Sequence, residues 1–212
     1  MIKIRGLTKR FGNAVVLDNV SIEFGKGKIY GIVGRNGCGK TVMFKCICGF
    51  LKPTSGQVRV SGKTIGKDCD MIQSAGIILE TPGFLPGYSG IKNLAFLAAI
   101  NNKLKRKDLE RVMELVGLDP KNKKLVSNYS LGMKQRLGIA QAIMENPNIL
   151  ILDEPMNGLD NGGVLEMREL FIRLKEQEKT ILLASHNKED IEILCDEVFY
   201  MDKGRLLRSN PN

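Results

Sequence analysis

The sequence predicts an α/β fold: a mixed or parallel core sheet, an antiparallel β part ahead of it, and a block of helices set into it. Three observations carry this prediction. Apolar runs of strand length alternate with stretches of helical period, the first runs follow one another too closely for helices to intervene, and one long central interval shows only three- and four-residue apolar spacing. The 212 residues suit a single domain, predicted over 1–212, and 43% hydrophobic residues suffice for its core.

The elements justify themselves in order. "IKIRGL", "VVLDNVSIEF" and "KIYGIVG" are strands in quick succession, and short connections join antiparallel strands, because a parallel pair needs a crossover of about a dozen residues. "TVMFKCICGFL" reads as a helix, then "QVRVSG" and "AGIILE" as strands. From about residue 83 to 145 the chain reads as a helical subdomain, with "SGIKNLAFLAAINN", "RKDLERVMELVGL" and "LGMKQRLGIAQAIMEN" each apolar at helical spacing. "NILILDE", "TILLAS" and "EVFYMD" follow, spaced as parallel strands.

Composition removes several function classes. The longest apolar runs, "LAFLAAI" and "NILILD", fall far short of the ~20 residues that cross a bilayer, so the chain is expected to be soluble by itself. "MIKIRGLTKRFG" carries charges where a secretory signal has its apolar region, and a cytoplasmic address follows. The five cysteines are odd in number and form no CxxC pair, which reads as reduced thiols. The net charge of +9 is spread along the chain, with "KLKRK" and "KNKK" at helix ends, a pattern of solvated termini; no nucleic acid is expected as partner.

The stretch "GRNGCGKT" carries the chemistry. Gly34, Gly37, Gly39, Lys40 and Thr41, with Asn36 and Cys38 between them, fit G-x-x-x-x-G-K-[ST] after a strand and before a helix. Glycines let successive N–H groups converge on phosphate oxygens, and the helix N-terminus adds its positive dipole end. Lys40 then meets the β and γ phosphates, and the Thr41 hydroxyl ligates Mg²⁺. Downstream, "ILILDE" ends on Asp153, a metal-holding carboxylate, and Glu154, placed to act on an attacking water. "NKED" and "DNGG" match the guanine-reading and D-x-x-G patterns of GTPases. The strand-ending aspartate is Asp153, however, and "DNGG" starts only at Asp160, which argues against that class.

In these motifs the sequence resembles the nucleotide-binding subunit of ATP-binding-cassette (ABC) transporters, over about residues 2 to 207. "KRFG" is similar to the adenine-stacking loop, with Phe11 its aromatic; "GRNGCGKT" to Walker A; "YSLGMKQR" to the family signature; "ILILDEP" to Walker B; "MNGLD", with Asp160, to the D-loop; "ASHNKED", with His186, to the switch-histidine loop. The resemblance implies a P-loop NTPase fold that binds ATP and Mg²⁺, with Ser130 and Gly132 facing the γ phosphate of ATP on a second subunit and His186 holding the Glu154–water geometry. It implies a homo- or heterodimer of such subunits on a separate transmembrane permease.

Departures from the family pattern are as informative. Glu80 stands where most members have a glutamine that touches Mg²⁺ or water, Val42 replaces a hydroxyl near the α phosphate, and Leu131 and Met133 replace a glycine and a glutamine of the signature. Alkylation of Cys38 within the phosphate loop is expected to block ATP binding, with ATP protecting. Glu80, "TPGFLPGYSGIKNL" and "YSLGMKQRLGIAQA" look most like bacitracin- and lantibiotic-type exporters and immunity transporters, which implies export of peptide antibiotics or multidrug-like compounds. A DNA- or ribosome-acting cassette is the competing class, but such chains carry tandem cassettes, coiled coils or zinc inserts.

Overall fold

A computed structural model describes residues 1–80, 83–101 and 103–208. Thr81 and Pro82, at the head of the "TPGFLPGYSGIKNL" stretch, lie outside the described residues, as do Asn102 and residues 209–212.

Strands β1 (Ile2–Phe11) and β2 (Ala14–Phe24) form an antiparallel hairpin, and β4 (Ser55–Val60) and β5 (Lys63–Thr64) extend it into a four-stranded sheet ordered β2-β1-β4-β5. The second sheet holds β3 (Ile29–Val33), β6 (Ala75–Ile78), β7 (Ile149–Asp153), β8 (Thr180–Ala184), β9 (Glu197–Asp202) and β10 (Arg205–Leu207), in the order β10-β9-β3-β8-β7-β6. Its pairings are parallel except that of β9 with β10. The antiparallel start and parallel core match the sequence reading except at β3, which follows β2 closely yet joins the other sheet and pairs parallel with β8 and β9. Every residue of β7 and β8 is buried, because helices and the other sheet cover both faces of these strands, and continuous apolar runs result. On β4 only Val58 and Val60 are buried, alternately with exposed positions, as on a half-solvated strand.

Helix α1 (Lys40–Cys48) leaves the end of β3 through the glycine loop and runs between the two sheets, burying Met43, Phe44, Cys46, Ile47 and Cys48. Burial pushes the Cys46 thiol up to about 11 and the Cys48 thiol up to about 12, so both stay protonated at neutral pH. Helices α2 (Gly90–Asn101), α3 (Arg106–Leu115) and α4 (Leu131–Ile143) follow in succession and share a core with the inner sheet through Leu94, Met113, Leu137 and Ile139. Helices α5 (Asn161–Glu176) and α6 (Lys188–Leu194) return the chain between β7, β8 and β9. Each fully buried Leu, Ile or Phe contributes about 1.5–3 kcal/mol relative to exposure, so these two clusters dominate the stability. Among the described residues no helix is long and apolar enough to cross a membrane.

Candidate functional site

A concave pocket of about 550 Å³ opens at the carboxyl ends of β3 and β7, lined by Asn36, Gly37, Gly39, Lys40, Thr41, Val42, Glu80, Asp153 and Glu154 among others. The loop that forms its floor depends on two glycines. Gly39 caps α1 at φ 115°, a conformation only glycine adopts without strain. At Gly34 a methyl group would collide with the Met201 carbonyl oxygen and Cys38 Sγ, so the loop can lie against β9 only without a side chain there. The result is a helix N-terminus whose first N–H groups face the pocket, a place that favours anions. Lys40 is buried and its ammonium donates to the Gly34 and Arg35 carbonyls, at 2.6 and 3.2 Å, which draws the loop around its own cation.

Facing the loop are the acids at the end of β7. Asp153 Oδ2 accepts from the Thr41 hydroxyl at 2.5 Å, which brings two hard oxygens from separate elements together. That donor set fits Mg²⁺, which takes one or two protein oxygens and leaves the rest of its octahedron to phosphate and water. Glu154 is the first residue past the strand, with its N–H on the Ala184 carbonyl at 2.9 Å and φ at 51°. A non-glycine residue in that region is strained by roughly 1–3 kcal/mol. The turn swings its carboxylate to the same side as Asp153, where Glu154 Oε1 stands 2.9 Å from His186 Nδ1. Gln135 holds the turn from α4, donating to the carbonyls of Pro155 at 2.8 Å and Glu154 at 3.4 Å.

Glu80 takes a second non-glycine positive φ, 63°, and lines the pocket, but its carboxylate is paired with Lys45 Nζ of α1 at 2.6 Å. Phe11 ends β1 half exposed, with Lys9 Nζ 4.9 Å from its ring centroid. Ser130 caps α4, accepting from the Met133 N–H at 3.2 Å, and Gly132 lies on the first turn of that helix, its Cα facing the Gly158 carbonyl. Asp160 caps α5, accepting from the Gly163 N–H at 2.9 Å. The pocket thus gathers the loop, Val42, Glu80 and both acids, and His186 reaches it through Glu154. Phe11, Ser130, Gly132 and Asp160 stand on separate element ends around it.

Three pocket residues escaped the sequence reading, Val16, Gln135 and Asn157, and a fourth, Leu131, was named there only as a departure from the signature pattern. Gln135 lies inside the quoted "YSLGMKQR" and Asn157 inside the quoted "MNGLD", so those motifs were the available signal; Val16 reaches the pocket only through the packing of β2. The GTPase-like "NKED" also finds its explanation. Asn187 caps α6, accepting from the Glu189 N–H at 2.9 Å, and Asp190 is buried against Arg168, so neither side chain is free to read a base.

A family model described as "ABC transporter" matches residues 17–157. The "Uncharacterized ABC transporter ATP-binding protein YybJ" of Bacillus subtilis is 43% identical over 206 residues, 97% of this chain and 94% of that protein. The "Bacitracin transport ATP-binding protein BcrA" of Bacillus licheniformis is 43% identical over all of this chain and 70% of its own length, and the "Lantibiotic transport ATP-binding protein SrtF" of Streptococcus pyogenes 34% over 98% and 89%. A solved dimeric ATP-binding cassette, MJ0796, in a post-hydrolysis state bound to ADP and Pi, shares the fold at TM-score 0.88 and 22% identity over 99% of this chain and 98% of its own. The chain belongs to the ABC transporter family.

Proposed function

We propose that this chain is the ATP-hydrolysing subunit of an ABC exporter, with peptide antibiotics of the bacitracin and lantibiotic type as its class of cargo. The observation that carries the reading is the close approach of Glu154 Oε1 to His186 Nδ1, 2.9 Å apart, set beside Thr41–Asp153 at the mouth of the glycine loop. The cargo class is supported by what the bacitracin and lantibiotic transport relatives are named for.

The residues divide the work by position. Amides of the Asn36–Thr41 loop and the Lys40 ammonium bind the phosphates, and Lys40 exchanges its loop carbonyls for phosphate oxygens. Phe11 offers a half-exposed ring on which the adenine stacks, worth roughly 1–3 kcal/mol. Thr41 and Asp153 hold the magnesium, which when bound with the nucleotide offsets charge on the phosphates. Glu154 accepts the proton of the attacking water, a contribution of about 10²–10⁴-fold, and His186 fixes the direction of its carboxylate. Ser130 and Gly132 present a hydroxyl and the α4 dipole to the γ phosphate bound on a second chain, with Asp160 beside them on that interface.

We place the coupling to the membrane subunit at the groove of about 1020 Å³ along β6, whose lining mixes apolar side chains (Phe50, Leu97, Leu104) with polar ones (Gln73, Gln141, Glu145). A cytoplasmic helix of the permease is its occupant, which puts this chain on the cytoplasmic face of the membrane.

Glu154→Gln tests the reading. The variant is expected to keep MgATP affinity, to accumulate an ATP-bound dimer seen by size exclusion, and to lose at least 10²-fold in turnover. Ordinary turnover in that variant would remove Glu154 from the role of base.

A further inference from the structure

Arg168 takes no part in the chemistry above, yet it is a guanidinium buried to 5% exposure in the middle of α5. Its Nε and Nη2 donate to Asp190 Oδ1 at 2.9 and 2.5 Å, and Nη2 donates to Glu189 Oε2 at 3.0 Å. Asp190 is itself 3% exposed. Its other oxygen, Oδ2, accepts from the Ser185 hydroxyl at 3.4 Å, and the Ser185 oxygen accepts from the Asn187 N–H at 3.1 Å. Ser185 and Asn187 are the two neighbours of His186. A buried ion pair is not by itself a stability gain over apolar packing, so its place between α5 and this loop is the feature that needs a reason.

We propose that Arg168 is a positioning residue for ATP hydrolysis: through Asp190 and Ser185 it holds both neighbours of His186, and so keeps the imidazole against Glu154. This rests on the roles given above to His186 and Glu154. The same helix carries Glu166, two positions earlier and therefore on a different face, where Glu166 Oε2 accepts from Arg136 Nη1 of α4 at 2.6 Å. Helix α5, capped by Asp160, is thus pinned on one side to the helix that Ser130 heads and on the other to the His186 loop.

The test uses the whole chain and the fact that His186 is the only histidine in the sequence, so a single imidazole Cε1–H NMR signal reports it. In the parent, Glu154→Gln is expected to move this signal. Arg168→Met combined with Asp190→Leu replaces the pair with apolar side chains and strands no buried charge. In that background the signal is expected to stop responding to Glu154→Gln, turnover to fall roughly 10- to 100-fold and MgATP affinity to stay within about twofold. Ser185→Ala, which cuts one link and removes no charge, is expected to act the same way to a smaller extent and decides the matter if the double variant does not fold. Arg168 would be merely structural if the signal in folded variants answered Glu154→Gln as in the parent with turnover unchanged. Failure of every variant and the parent to bind MgATP would instead sink the proposed function, and the NMR response would still decide the positioning claim.

Discussion

Glu80 shows how much a single residue's surroundings decide. A carboxylate in this place would bind Mg²⁺ more strongly than an amide but repel phosphate, and charge alone leaves the balance open. The structure adds Lys45, whose ammonium at 2.6 Å occupies the Glu80 carboxylate in the same pocket that Thr41 and Asp153 line. The pair is part-exposed, so its stability is worth about 0–1 kcal/mol, small enough for a divalent cation to break. Lys45→Met is therefore expected to free the carboxylate and lower, by a few-fold, the Mg²⁺ concentration that half-saturates nucleotide binding, with the melting temperature nearly unchanged. Fluorescent-nucleotide titration at stepped Mg²⁺ measures it, and an unaltered Mg²⁺ dependence would place Glu80 outside the metal's reach. Lys45 was not legible in the sequence as a partner, because the pairing spans the 35 positions between α1 and the second residue after β6 and exists only once the sheet has formed.

At the scale of elements, helix caps do double work. Ser130 satisfies the Met133 N–H at 3.2 Å, and in the proposed function it is also the hydroxyl offered to a second chain's phosphate. Loss of such a cap to alanine costs about 0.5–2 kcal/mol, whereas glycine costs only a few tenths. Ser130→Gly is therefore expected to melt within a degree or two of the parent yet to weaken the ATP-bound dimer of the Glu154→Gln chain, while Ser130→Ala loses both; melting curves and sedimentation separate the two effects. Asp196 ties elements in another way. It accepts from the Ile29 N–H at 2.8 Å and from Lys175 at 3.0 Å, so β3, β9 and the end of α5 meet on it. Burial works to raise its pKa, but the Ile29 and Lys175 hydrogen bonds outweigh burial and hold it below the ordinary 3.8. With the folded value lowered, its stabilisation is complete above pH 3.8 and is lost as pH falls through the folded value. Asp196→Asn is expected to cost roughly 1–2 kcal/mol at neutral pH and to flatten the acid limb of the stability curve, read by denaturant unfolding at stepped pH. Strands such as β7 and β8 were legible because both faces are buried and leave an unbroken apolar run. The two- and three-residue β5 and β10 were not, since so short a run carries no period and forms only as an extension of β4 and β9.

For the whole molecule, the proposed function divides one chain into two half-sites. The glycine loop, Thr41, Asp153 and Glu154 gather at one pocket, while the Ser130 cap and the Asp160 cap open at element ends outside its lining. On the proposed reading, a lone chain holds the triphosphate and supplies the base, and the donors of Ser130 and Gly132 reach a γ phosphate only when a second chain brings them. Charge stabilisation by preorganised donors is the larger part of such chemistry, so the single chain should turn over far more slowly than the pair. The net charge of +9 on each copy opposes their approach, and the net negative charge of each MgATP bound between them offsets part of that repulsion. Turnover per chain is therefore expected to rise with chain concentration at saturating MgATP and to level off once dimers dominate. Raising salt should screen the repulsion between copies and also the phosphate contacts, so the midpoint of that rise, followed at two ionic strengths, tells which of the two controls assembly. A rate per chain that stayed constant over a hundredfold dilution would mean that one copy completes the site alone, and the roles of Ser130 and Gly132 across the interface would have to be withdrawn.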